Sequence, residues 1–221
     1  MNMMIDVTSA DGHVLDCWLA EAAGDRRGGI VILQEIFGVT DQLKGVAARF
    51  AAEGYDVAIP ALFDRQQKGA VIPFSEAPKG RDLMLATDLN AVMSDIDATV
   101  AMLAARGGKV AVLGFCWGGG LALRAAQVSD VACAVPFYGT RLDAYQIAPL
   151  VAPVQGHWGA EDSHVPPAML DAARAYWPDM EVYTYDGAGH AFANDARPAD
   201  HVAAAADLAF GRASEFIGRH I

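Results

Sequence analysis

Short runs of apolar and β-branched residues alternate along the chain with longer segments in which apolar positions recur every three or four residues. Residues 14–19 read as an opening strand and 29–34 (GIVILQ) as a buried one. The next segment carries Leu43, Val46, Ala47 and Phe50 on one helical face, with Thr40 and Asp41 where a cap belongs. Residues 56–60 (DVAIP) predict another strand. The polar stretch 61–80, with its Pro and Gly, is a connection long for a compact domain, and such loops are often functional. From about Asp82, the positions Leu85, Leu89, Val92, Met93, Ile96, Val100 and Leu103 predict one long amphipathic helix ending near Gly107 and Gly108. Residues 109–114 (KVAVLG) predict a central strand, and 131–137, 153–158 and 181–185 further strands. Pro198 is expected to open a closing helix through about Gly218, with Val202, Ala206, Ala209 and Phe216 along one side.

Strands alternating with helices predict the α/β class: a mostly parallel central sheet with helices on both faces. A chain of 221 residues, 53% of them hydrophobic, has ample material for a core. It shows no internal repeat or linker, so 1–221 is expected to be a single domain. Sixteen basic against 27 acidic residues leave a formal charge of −11. That charge repels phosphate backbones and anionic lipid, and no Lys/Arg block offsets it, so neither nucleic acid nor membrane is an expected partner. The three cysteines, Cys17, Cys116 and Cys133, are too few and scattered for a disulfide framework, which fits a reducing cytoplasm. The start, MNMMIDVTSADG, lacks the features of a signal peptide, and the longest apolar run is interrupted by Gly118, Gly119 and Gly120. A cytoplasmic location is the expectation.

The strongest chemical signal is Gly114-Phe115-Cys116-Trp117-Gly118-Gly119, between an apolar strand and the helix that starts near Gly118. A nucleophile at such a turn is held in a strained backbone conformation, and small residues two positions to either side let neighbouring backbone approach. The turn also sets the sulfur at the positive end of the following helix, which favours thiolate. A Gly-rich turn packed around a buried Cys, or one cradling phosphate, is the blander alternative; the phosphate version wants a Lys after the glycines, where this chain has Leu121. The order along the chain favours the nucleophile. Asp162 follows the strand 153–158 and His190 follows the strand 181–185, reproducing the nucleophile–acid–histidine order of α/β-hydrolases. In that arrangement His190 takes the thiol proton and later delivers it to the leaving group, while Asp162 holds its tautomer.

These residues resemble the dienelactone hydrolase family, also called carboxymethylenebutenolidases, of the α/β-hydrolase superfamily. The resemblance rests on Gln34-Glu35-Ile36-Phe37-Gly38, the Cys116 elbow, Phe137-Tyr138-Gly139, Gly159-Ala160-Glu161-Asp162 with Val165-Pro166, and Gly187-Ala188-Gly189-His190-Ala191-Phe192, spanning nearly the whole chain. It implies an α/β-hydrolase fold, Cys116 as nucleophile with Asp162 and His190, and Glu35 as a carboxylate that takes part in activating the thiol. It further implies an oxyanion hole from the backbone N–H groups of Ile36 and Trp117. The expected substrate is a small ester or lactone, with no cofactor and no metal expected, and the expected state is a monomer or homodimer. Phe37, Tyr138 and Phe192 are expected to line the pocket.

One departure bears on specificity. Family members acting on dienelactone bind its carboxylate with arginines, one of them four residues after the triad histidine, where this chain has Asn194. Arg81 is the candidate for the other arginine, and Arg197 the candidate substitute for the missing one. Two other readings therefore stay open: a broad carboxylesterase or thioesterase with another ester as substrate, and a redox-responsive or ligand-binding protein on the same scaffold in which Cys116 is an oxidisable thiol. Cys17 and Cys133 are expected to be packing thiols. The spacing of His157, Asp162, His164 and His190 matches no common zinc pattern, and His164 reads as a loop residue beside the acid. His13, His201 and His220 read as surface or structural.

Overall fold

The computed structural model describes residues 2–221. The chain forms two compact units, one running to Ala111 and including Ile221, the other spanning Val112–His220.

The first unit contains β1 (Asn2–Thr8), β2 (Val14–Ala20), β3 (Gly28–Leu33), α1 (Asp41–Ala52), β4 (Tyr55–Pro60), α2 (Ala77–Leu85), α3 (Leu89–Ala104) and the start of β5 (Val110–Phe115). β1 pairs antiparallel with β2, and β2 antiparallel with β4, while β3 and β4 run parallel. Every residue of β3 and of β4 is buried, so both faces of these strands are covered; α1 packs against β4 and α3 against β3. The helical face predicted for α1 is the one that is buried, and Phe50, fully enclosed, contributes about 2 kcal/mol relative to exposure. Thr40 caps this helix, its side chain accepting the Leu43 N–H at 3.4 Å.

Three expectations are corrected in this unit. The single long helix predicted from Asp82 is two helices. Thr87 Oγ1 donates to Leu83 O at the end of α2, and Asp88 Oδ1 accepts the Ala91 N–H at 2.8 Å to open α3. Leu85 and Leu89, counted in the periodicity, are 63% and 37% exposed and belong to no buried face. The connection predicted over 61–80 ends earlier, at a 3₁₀ turn over Phe74–Glu76 followed by α2. Strand β1 was not foreseen, because only Val7 within it is buried and its apolar alternation is weak.

The second unit continues with α4 (Trp117–Val128), β6 (Cys133–Phe137), α5 (Leu142–Tyr145), β7 (Gln155–Gly159), α6 (Pro167–Tyr176), β8 (Glu181–Tyr185) and α7 (Ala203–His220). β6, β7 and β8 are parallel neighbours, and every residue of β6 and β7 is buried. Helix α4 packs on β6, and α7 on β6 and β7. Phe115, Phe137 and Phe210 form the aromatic centre, with ring centroids 5.1 and 4.9 Å apart for the pairs 115–137 and 137–210. The closing helix begins at Ala203 rather than Pro198: the N–H groups of Asp200 and His201 return to Arg197 O and that of Val202 to Phe192 O, leaving 197–202 as turns.

The eight strands follow the hydrogen-bonded order β1-β2-β4-β3-β5-β6-β7-β8, a mostly parallel sheet with helices and therefore the α/β class. Among the described residues, no helix is long and apolar enough to cross a membrane. Cys17, Cys116 and Cys133 are all free thiols; Cys17 and Cys133 are buried, and burial pushes the Cys17 thiol up to about 12.

Candidate active site

β5 ends at Phe115 and α4 begins at Trp117, so the direction of the chain changes at Cys116 alone, which takes φ 53° and ψ −115°. A non-glycine residue in this region carries strain of about 1–3 kcal/mol, which the surroundings must hold in place. They do so with four hydrogen bonds: the Cys116 N–H donates to Phe137 O, and its carbonyl accepts from the N–H groups of Gly119, Gly120 and Thr140, all at 3.0–3.2 Å. The glycines make the approach possible. A Cβ on Gly114 would overlap Gly118 O, and one on Gly119 would stand 2.6 Å from the Gly139 Cα. Cys116 is thus the N-cap of a twelve-residue helix, at the end where the helix dipole stabilises negative charge, and it is partly exposed.

The acid and histidine loops follow β7 and β8 and are joined backbone to backbone. The Glu161 N–H donates to Ala188 O at 2.9 Å and the Ala160 N–H to Tyr185 O at 2.9 Å. Gly159 has no room for a side chain, because a Cβ there would overlap the Ala188 carbonyl. Asp162, 3% exposed, divides its carboxylate between two donors: Oδ1 accepts the His164 N–H and Oδ2 accepts His190 Nδ1–H, both at 2.8 Å. His190 is also hydrogen-bonded to Cys116. Burial alone would lower the histidine; the hydrogen bonds to Asp162 and Cys116, together with their negative charge, outweigh it and raise His190 to about 10. The chain leaves His190 through Ala191 at φ 62°, a second strained position, and the Tyr138 that meets the histidine ring edge-on at 5.1 Å is a third, at φ 38°.

Cys116, Asp162 and His190 therefore lie within one unit. Of the other residues singled out, Trp117, Tyr138 and Phe192 are buried in the same unit, Phe192 edge-on to Tyr138 at 5.7 Å. Asn194 is fully buried, and its Oδ1 accepts the Ala196 N–H at 3.1 Å. Arg197 Nη2 lies 2.8 Å from Asp200 Oδ2. His164, read as a loop residue beside the acid, proves also to lay its ring 4.3 Å from that of His190, which spacing alone could not have told.

The first unit holds Glu35, Ile36, Phe37 and Arg81. Glu35, 4% exposed, is the second residue after β3. The segment it begins is fastened at several points. Gln34 Oε1 accepts the Leu62 N–H at 3.0 Å, the Ile72 N–H donates to Phe37 O at 2.9 Å, and the Phe37 ring meets Phe74 edge-on at 4.8 Å. Gly80 in α2 is pressed against Ile36, where a Cβ would overlap the Ile36 carbonyl oxygen. The neighbouring Arg81 is exposed.

His157, which the sequence brought forward only in a metal-ligand spacing, is a buried partner of aromatic rings. Inside β7, it stacks between Phe137 and Tyr183 and pairs through Nδ1 with the Tyr185 hydroxyl at 2.8 Å, which accepts from Arg212 at 3.2 Å. Burial, and then the Arg212 charge, lower it to about 3, so it is neutral. Among the described residues, no three His, Cys, Asp or Glu side chains are grouped so as to hold a metal ion.

Known proteins are similar to this chain in sequence and fold. A carboxymethylenebutenolidase of Pseudomonas putida is 30% identical over 224 residues, covering 96% of this chain and 94% of its own. The crystal structure of a Klebsiella pneumoniae protein assigned to the dienelactone hydrolases superposes with a TM-score of 0.83 at 25% identity, covering 96% of each chain. The Pyrococcus furiosus esterase Pf2001 shares the fold at 16% identity, with a TM-score of 0.73 over all of this chain and 93% of that one. The model of the dienelactone hydrolase family matches residues 15–221, from the second strand through the end of the last helix. With elbow, acid and histidine loops all inside that match, the chain belongs to the dienelactone hydrolase family, a family of hydrolases.

Proposed function

We propose that the protein hydrolyses small esters or lactones through a Cys116–His190–Asp162 triad and an acyl-thioester intermediate. The observation that carries this is the bridging histidine: His190 is hydrogen-bonded to Cys116 on one side and, at 2.8 Å, to the buried Asp162 carboxylate on the other. The Cys116 thiolate attacks the substrate carbonyl carbon, forming the C–S bond and an oxyanion. The bond to the alcohol oxygen then breaks, and the leaving oxygen takes the proton from His190. Neutral His190 next removes a proton from water as that water attacks the thioester. The C–S bond breaks, releasing the acid and restoring thiolate and imidazolium. The oxyanion is assigned to the Trp117 N–H at the start of α4 and, following the family resemblance, to the Ile36 N–H, with Glu35 assisting activation of the thiol. Phe37, Tyr138 and Phe192 are assigned to the pocket.

Reaction with p-nitrophenyl acetate followed by intact-mass measurement tests this reading. A single acyl group appears on Cys116 and depends on His190; a Cys116→Ala protein with full esterase activity would refute the reading. The same experiment separates the hydrolase from a redox-responsive thiol protein, which would not acylate.

On substrate, the buried Asn194 and the ion-paired Arg197 favour the broader carboxylesterase or thioesterase reading over dienelactone. Asn194 carries no charge where a carboxylate-binding arginine is expected, and Arg197 already faces the carboxylate of Asp200. Arg81 is left as the cation assigned to a substrate carboxylate. Turnover of dienelactone compared with neutral lactones and aryl esters decides between them.

A further inference from the structure

The loop after β7 brings two groups to His190. Asp162 Oδ2 accepts its Nδ1–H, and Asp162 Oδ1 accepts the backbone N–H of His164 two residues on. That short turn sets the His164 ring with its centroid 4.3 Å from the His190 ring and the planes 42° apart. The His190 side chain is 12% exposed, whereas His164 is an exposed residue, so the His164 ring stands toward solvent from the histidine it touches.

We propose that His164 is a positioning residue for His190: its uncharged ring holds the imidazolium against Asp162, and its protonated ring repels it, so that His164 sets the acid limb of the reaction. The proposal rests on the reading of His190 as the triad base. The face of a neutral imidazole attracts a neighbouring cation, and a second positive charge at the same distance reverses the sign. The charges acting on His164 come from two loops: Asp162 from the one after β7, and His190 and Arg197 from the one after β8. Partial desolvation of its inner side, then the His190 charge, with a contribution from Arg197, hold His164 below its ordinary 6.5 against the opposing pull of Asp162. At neutral pH His164 is therefore the uncharged member of the pair. Acidification charges it while His190 is still protonated, and the imidazolium is pushed away from its carboxylate.

The test is the pH profile of kcat/KM on a p-nitrophenyl ester for the parent protein, His164→Phe and His164→Lys, with folding followed by circular dichroism. The parent loses activity on the acid side of neutrality, as His164 becomes charged. His164→Phe keeps a ring and cannot charge, so its acid limb moves to lower pH. His164→Lys carries the charge permanently and lowers kcat/KM at pH 7.5 about tenfold. Should the Phe variant not fold, His164→Gln takes its place, again with a displaced limb. Acid limbs that superimpose on that of the parent, or a Lys variant as active as the parent, overturn the proposal. Failure of the triad reading shows itself separately, as esterase activity surviving in Cys116→Ala.

Discussion

His190 Nδ1 lies 2.8 Å from Asp162 Oδ2, and the other Asp162 oxygen is taken by the His164 N–H. One carboxylate therefore both orients the histidine and shapes the loop that carries it. Asp162→Asn keeps an oxygen for the His164 N–H and loses the charge that favours imidazolium. We expect kcat to fall about 10³- to 10⁴-fold with the fold intact, read by steady-state kinetics beside a thermal melt.

Gly159 and Gly189 lie on the two joined loops and should respond oppositely to one methyl group. A Cβ on Gly159 would overlap the Ala188 carbonyl, whereas the nearest atom to one on Gly189 is Glu161 O at 3.7 Å. Gly159→Ala is expected to destabilise by about 2 kcal/mol or more and to reduce activity by parting the loops, while Gly189→Ala stays within about 0.5 kcal/mol. Urea midpoints for the two variants check this.

His157 provides a pH test of stability. Its folded pKa, about 3, is depressed below the ordinary 6.5, so the unfolded chain binds the extra proton first. Folding therefore loses stability as pH falls from about 6.5 toward 3, by several kcal/mol in all, and none of this loss operates above 6.5. His157→Phe keeps the ring between Phe137 and Tyr183 and cannot charge. Its melting temperature at pH 4.5 should exceed that of the parent; equal acid sensitivity in the two proteins would count against this account.

Two substitutions around α2 and α3 separate stability from activity. Asp88→Ala removes the cap on Ala91 N–H and should cost about 1 kcal/mol with kcat unchanged. Gly80→Ala drives a methyl group into the Ile36 carbonyl, so it should lower kcat as well as the melting temperature. A Gly80→Ala enzyme with parental kcat would argue against a catalytic role for the Ile36 segment.

The turn at Cys116 was legible because its constraints are local. A nucleophile between a strand and a helix needs small residues two positions away on each side, and Gly114 and Gly118 stand there in the primary structure. Acid and histidine follow strands whose apolar runs are plain. The face of α1 was likewise readable from Leu43, Val46, Ala47 and Phe50, since burial imposes the helical period.

Sequence by itself determined the α/β class, the elbow at Cys116 and the order of the three triad candidates, because periodicity and turn chemistry act between residues close in the chain. Tertiary structure decided what depends on distant partners. It paired the weakly patterned β1 with β2, and it held 197–202 out of α7 by tying Val202 to Phe192. It also laid His164 on His190. In each case the deciding contact joins segments whose separation along the chain leaves no periodic trace, so only the packed fold could show it.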